Sequence, residues 1–100
     1  LKVSFTPSGR NQFLAAIVCL RRDNPEAAVA FRKKAEKMLR RLKQVPESGN
    51  ILPECPDLPF REVVEAPYRF IYRIKEKTLW MVAVWHDAPL PATPVEDEIA

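Results

Sequence analysis

Four basic side chains, Arg61, Arg69, Arg73 and His86, fall on stretches that read as β-strands, and they are the residues best placed to do chemistry. A guanidinium beside aromatic side chains can grip a phosphate or carboxylate through two parallel hydrogen bonds and can stack on a base. Alternation puts Arg69 and Arg73 on one face of their strand. If helices cover the opposite face, this one offers a basic surface suited to RNA or to an acidic protein segment. The competing reading pairs these arginines with Glu62, Glu65 and Glu76 on neighbouring strands. His86 closes the last strand, where an imidazole can serve as general acid or base near neutral pH or simply hydrogen-bond a carbonyl.

A nucleophile with its base is hard to assemble from the rest. Cys19 lies among Phe13, Leu14 and Val18 on what reads as a buried helix stripe. That setting predicts an inert structural thiol, since reactivity needs exposed electropositive surroundings. Cys55 sits in a proline-rich stretch and has no assigned role. Two separated cysteines and one histidine give no zinc spacing, and Gly9 and Gly49, the only glycines, cannot build a phosphate-cradling loop. No metal or other cofactor is expected.

The elements that must position these residues follow in order. Lys2 to Phe5 alternates polar and apolar and predicts a first strand, ended by a turn at Thr6-Pro7-Ser8-Gly9. A helix follows, capped by Thr6 or Ser8, with Phe13, Leu14, Ile17, Val18, Cys19 and Leu20 as one broad buried stripe and Arg21 and Arg22 at its negative end. Asn24-Pro25-Glu26 starts a second helix running to about Val45, its apolar side made of Ala28, Phe31, Ala35, Met38, Leu39 and Leu42. Lys33, Lys37, Arg40 and Arg41, at i, i+4, i+7 and i+8, form a basic ridge on the other side. The short Asp23-Asn24 link predicts an antiparallel helix hairpin.

Residues 46 to 59 carry Pro46, Pro53, Pro56 and Pro59 and read as a long loop with partner contact as a candidate role. Three strands are then expected, Phe60 to Glu65, Tyr68 to Lys75 and Thr78 to His86, joined as an antiparallel meander. The last is apolar on both faces and should lie inside the sheet, which the first strand should also join. The expected fold is therefore α+β, in the order β-α-α-β-β-β, with the hairpin packed on a four-stranded, mainly antiparallel sheet. Residues 1–88 form its single domain, and the acidic, proline-containing residues 89–100 are expected to be a flexible tail.

Composition bounds the function. At 100 residues the chain holds one domain, and no apolar run approaches the roughly 18 residues that cross a bilayer, so no membrane partner is expected. Two cysteines make no disulfide framework, and no charged start leads into an apolar signal segment; the cytoplasm is the expected compartment. The net charge of +3 hides a strong segregation. Residues 1–45 hold eleven Lys/Arg against Asp23, Glu26 and Glu36, whereas Asp87, Glu96, Asp97 and Glu98 stand unopposed near the end. A basic body of this kind suits an acidic partner, nucleic acid or protein, although a solvated helix face explains the same pattern.

The order of elements, with the run Arg61-Glu62-Val63-Val64-Glu65-Ala66-Pro67-Tyr68-Arg69-Phe70-Ile71-Tyr72-Arg73-Ile74 followed by Val82-Ala83-Val84-Trp85-His86, resembles the RelE/ParE superfamily of toxin–antitoxin toxins. The resemblance spans residues 2 to about 88. It implies a type II toxin neutralised by a cognate antitoxin in a hetero-oligomer, with one of two targets. RelE-like members cut mRNA on the ribosome with basic sheet residues, an arginine just beyond the last strand and commonly a C-terminal tyrosine. Arg61, Arg69 and His86 occupy matching positions here, but Asp87-Ala88-Pro89-Leu90-Pro91 supplies neither the arginine nor the tyrosine. ParE-like members are described as binding DNA gyrase and stalling it on cleaved DNA without a catalytic constellation of their own. The missing nuclease groups and the basic hairpin favour that branch, with no catalytic residue of its own and with Lys33, Lys37, Arg40, Arg41, Arg69 and Arg73 as the expected contacts to target or antitoxin. The alternatives are the RelE-like endoribonuclease, with ribosome and mRNA as partners, and a non-toxic basic interaction domain.

Overall fold

Asn24 terminates one helix and starts the next. Its backbone N–H donates to the Leu20 carbonyl at 2.8 Å, while its Oδ1 accepts from the N–H groups of Glu26 and Ala27. With Pro25 supplying a first helical position that needs no donor, α1 (Pro7–Asp23) and α2 (Pro25–Gln44) meet across one residue and pack together. The computed structural model describes residues 1–86, 98 and 99. Around the hairpin run β1 (Lys2–Phe5), β2 (Asn50–Ile51), β3 (Phe60–Glu65), β4 (Tyr68–Lys75) and β5 (Thr78–His86), in the sheet order β1-β5-β4-β3-β2.

The architecture is the expected α+β one, with two changes in the sheet. A fifth strand, β2, pairs antiparallel with β3. It lies in the proline-free run between Pro46 and Pro53, and at the sheet edge it needs only one ladder partner. β1 runs parallel to β5, while every other pairing is antiparallel. The turn expected at residues 6–9 is instead the first turn of α1: Thr6 is its N-cap, accepting from the Gly9 N–H, and Pro7 opens the helix.

Pairing of β1 with β5 stops at Phe5–Met81, which would leave the second half of β5 without a neighbour on that side. Residues at the start of α1 supply the partners. The N–H and hydroxyl of Thr6 both donate to the Met81 carbonyl, and the Gln12 side-chain oxygen accepts from the Val84 N–H at 2.8 Å. So close an approach requires a glycine: a Cβ on Gly9 would overlap the Met81 carbonyl oxygen. Gly9→Ala is accordingly expected to push α1 off β5 and cost about 1–3 kcal/mol, read as a lower denaturant midpoint at unchanged slope.

Two apolar clusters sandwich the sheet. Between helices and sheet lie Ala16, Phe31, Ala35, Met38, Leu42, Tyr68, Phe70, Tyr72, Leu79, Met81 and Val84, and on the far face lie Leu52, Phe60, Ile71, Val82 and Ala83. Val82 and Ala83 are consecutive yet share the far side. The pairing jumps from Ile71–Ala83 to Tyr72–Met81, leaving Val82 as a bulge that shifts the alternation by one residue.

The stripe expected on α1 is narrower than its composition suggested. Phe13, Ala16, Ile17 and Leu20, at i, i+3, i+4 and i+7, turn inward, while Leu14, Val18 and Cys19 are exposed. Successive residues lie about 100° apart, so those three fall outside the arc that one sheet and one neighbouring helix cover. Cys19 is therefore not the buried structural thiol expected. Of the tail, residues 87–97 and 100 lie outside the described residues. Glu98 accepts hydrogen bonds from the Ser8 N–H and hydroxyl, both at 3.0 Å, and Ile99 packs against the far-face cluster.

Candidate functional site

The basic sheet face expected to be open is closed. Leu52, with no exposed surface, and half-buried Cys55 bring the loop between β2 and β3 down over Phe60, Ile71, Val82 and Ala83. Arg69 lies beneath it with 6 % of its surface exposed. Its Nε and Nη2 donate to Glu62 at 2.8 and 3.1 Å, and its Nη1 and Nη2 donate to Glu54 at 2.7 and 2.9 Å. Two forked pairs thus neutralise one guanidinium. The bonds to Glu54 foremost, then those to Glu62, hold Arg69 above the usual arginine range against the opposing effect of burial. Glu62 is the diagonal cross-strand partner, and Glu54, fifteen residues away in the loop, ties the cover to the sheet. Arg73 is half-buried on the same face.

Arg61 is on the opposite face, in register with Tyr72. It donates to the carbonyls of Gly49 at 2.8 Å and Glu47 at 3.3 Å. The Tyr72 hydroxyl accepts from the Gly49 N–H and donates to the Pro46 carbonyl at 2.7 Å, and burial raises the pKa of this phenol. Arg61 and Tyr72 together fasten the chain leaving α2 to the sheet. His86 is exposed at the other end, its ring edge-on to Tyr68 at 5.4 Å. Burial foremost, and then the neighbouring Cys19 thiol, raise the pKa of Tyr68.

Arg61, Arg69 and His86 are therefore not brought together. Arg69 faces away from the other two, and the Tyr72 and Tyr68 levels at which Arg61 and His86 sit are about 13 Å apart along β4, at roughly 3.3 Å per residue. Neither Arg61 nor Arg69 therefore converges with His86 on a point where a phosphate could sit.

The structure instead presents a groove on the helix side. A helix is about 10 Å across and strands are about 4.8 Å apart, so two helices roof about four strands and leave the β3–β2 side open. There Met38, Leu42 and Val63 floor a groove of about 430 Å³, with Lys34, Lys37 and Arg41 along one bank and Ser48 and Glu65 beside them. The bank cations stand at i, i+3 and i+7, one flank of a helix, and are exposed. Lys37 and Arg41 were legible as part of the basic ridge. Lys34 and the floor were not singled out, because the missing roof becomes visible only once the strands are counted across the sheet. Lys33 and Arg40 are exposed farther round α2.

The molecule is thus a small α+β protein with a grooved basic face and strand arginines that do not converge. A family model described as the ParE toxin of the type II toxin–antitoxin system parDE matches residues 3–90, and the chain belongs to that family. It is thus a type II toxin by family. In fold it is similar to a chain of the chromosomal ParDE toxin–antitoxin system from P. aeruginosa, with a TM-score of 0.67 and 17% identity over 86% of this chain and 95% of that one. No curated protein matches the sequence.

Proposed function

We propose that this toxin inhibits DNA gyrase by protein–protein binding and is neutralised by a cognate antitoxin that seats an acidic amphipathic segment in the α2–β3 groove. The observation that carries the choice of target is the dispersal of the nuclease set. Phosphodiester cleavage by a 2′-hydroxyl needs cationic groups converging on the charge that develops. Here Arg69 is buried and doubly paired, Arg61 holds the backbone of the loop, and His86 stands apart. A binding mechanism needs surface rather than convergence, and the basic hairpin supplies it. An acidic amphipathic partner fits the groove because its apolar side meets Met38, Leu42 and Val63 while its carboxylates meet Lys34, Lys37 and Arg41. Among the described residues no helix is long and apolar enough to cross a membrane, and a gyrase target places the toxin in the cytoplasm.

The deciding experiment is a gyrase supercoiling assay with purified toxin. Linear, cleaved plasmid should accumulate at micromolar protein, and prior addition of antitoxin should prevent it. Absence of linear product, together with ribosome-dependent mRNA cleavage lost in His86→Ala, would overturn the gyrase reading in favour of the nuclease.

A further inference from the structure

The outer ridge of α2 carries more charge than the groove uses. Projected at 100° per residue, Lys33, Lys37, Arg40 and Arg41 fall within an arc of about 100°. From Ala30 to Gln44 that arc contains no acidic residue and no large apolar one. Glu36, the acid of this part of the helix, lies just outside the arc, at i+3 from Lys33 and i−4 from Arg40, and its carboxylate is paired with Arg32 at 3.2 Å. All four ridge cations are exposed, and none is in an ion pair or hydrogen bond with another described residue. Lys33–Lys37, Lys37–Arg40 and Lys37–Arg41 are like-charge neighbours at helical spacing, which weakens the helix, and no direct ion pair with a described residue offsets it.

We infer that this ridge is a docking surface for the phosphate backbone of duplex DNA. Lys33 to Arg41 spans about 12 Å of helix axis, at 1.5 Å per residue. One DNA strand presents a phosphate about every 3.4 Å of its axis, so the ridge runs alongside three or four of them. Arginine and lysine need no apolar surroundings to hold phosphate, whereas a protein interface gathers its energy from an apolar centre. The stretch from Lys33 to Arg41 has none: Phe31, Met38 and Leu42 turn to the core or the groove, and Val29, exposed one turn before Lys33, is a single valine at the end of the ridge. The contact is with DNA itself and stands whether or not gyrase is the target.

Binding of the full chain to a short fluorescent duplex of mixed sequence, followed by anisotropy across a salt series, tests this. Four neutralised phosphates give a slope of log K against log salt of about −3.6, which is about twelvefold weaker binding per doubling of salt. The variant Lys33→Gln/Lys37→Gln/Arg40→Gln/Arg41→Gln should flatten that slope towards zero. A control, Lys2→Gln/Arg10→Gln/Lys75→Gln/Lys77→Gln, removes the same net charge from exposed positions elsewhere and should keep it. The pairs Lys33→Gln/Lys37→Gln and Arg40→Gln/Arg41→Gln, each lowering the slope by about 1.8, keep the test decisive should the quadruple variant fold poorly. Equal losses in ridge and control variants, a slope near zero in the unmodified protein, or equally tight ridge-dependent binding of poly-glutamate would each overturn the assignment, the last in favour of an acidic protein partner.

Discussion

Arg69→Ala is expected to destabilise the fold by about 3–5 kcal/mol, the cost of breaking a buried ion pair from one side. The argument rests on what remains. Glu62, with 7 % of its surface exposed, would keep a carboxylate in an apolar layer with its cation gone, while Glu54 would lose both bonds that fasten the loop. Leu52 and Cys55 cover the far-face cluster through that same loop, so loosening it also uncovers Phe60 and Ile71. Urea denaturation followed by fluorescence of Trp80 and Trp85, which pack against this cluster, should show the midpoint fall. Removing both buried charges separates a structural from a functional role. Arg69→Met with Glu62→Leu should recover the part of the loss that comes from the stranded Glu62 carboxylate, because well-packed apolar groups can replace a buried pair at little cost, and should leave the part that comes from the unfastened Glu54 loop. Loss of stability below about 1 kcal/mol in Arg69→Ala would mean that the cluster behaves as a surface pair and that the loop is held by something else. The pH dependence has a definite sign. A cation whose folded pKa is raised contributes stability that is fully present below its unfolded value and lost only as pH rises through the folded one. For Arg69 that window lies above the ordinary arginine range, so raising the pH from neutrality up to that range leaves its contribution unchanged.

The elements were legible where one local signal settled them. Asn24-Pro25 fixed the break between helices because cap and first-turn chemistry act within four residues, and the aromatic and β-branched runs fixed β3, β4 and β5 to their observed ends. What escaped depends on neighbours distant in sequence. Leu14 and Val18 are as apolar as Ile17, and only the width of the surface beneath α1 decides which are covered. The bulge at Val82 is invisible in a run where every residue is apolar, since shifting such a strand by one position exchanges one apolar side chain for another.

For Arg69, the strand position and the possibility of a cross-strand glutamate were both readable, and Glu62 was among the candidates. Glu54 was not, because nothing local marks one loop carboxylate as the second jaw of a fork. That unread contact changes the meaning of the site: an arginine in a sequence position used by nucleases becomes the post that holds a loop. Arg61 repeats the lesson, its guanidinium facing the carbonyls of Glu47 and Gly49 rather than an open surface. Position along a strand was legible for both residues; availability was not.

Reversing the bank of the groove should abolish neutralisation. Lys34→Glu/Lys37→Glu/Arg41→Glu is expected to weaken antitoxin binding by about a thousandfold, or roughly 4 kcal/mol. An attractive contact replaced by like charge costs several kcal/mol across an interface even when each rim pair is worth little alone. The three positions are exposed and their side chains are free of ion pairs with described residues, so glutamate, a good helix former, should leave the thermal midpoint nearly unchanged. That combination, lost binding with retained fold, distinguishes a docking surface from a structural one. Lys43→Glu, a single reversal on the flank of α2 away from the groove, serves as the control against Lys37→Glu alone and should retain full affinity. Titration calorimetry with the antitoxin measures both. An unchanged dissociation constant in the triple variant would place the antitoxin elsewhere. The exposed Leu14 and Val18 on α1 would then be the next apolar surface to test. If the prediction holds, Lys37 and Arg41 belong to both surfaces of α2, and an antitoxin seated in the groove withdraws two of the four ridge cations from any other anionic partner.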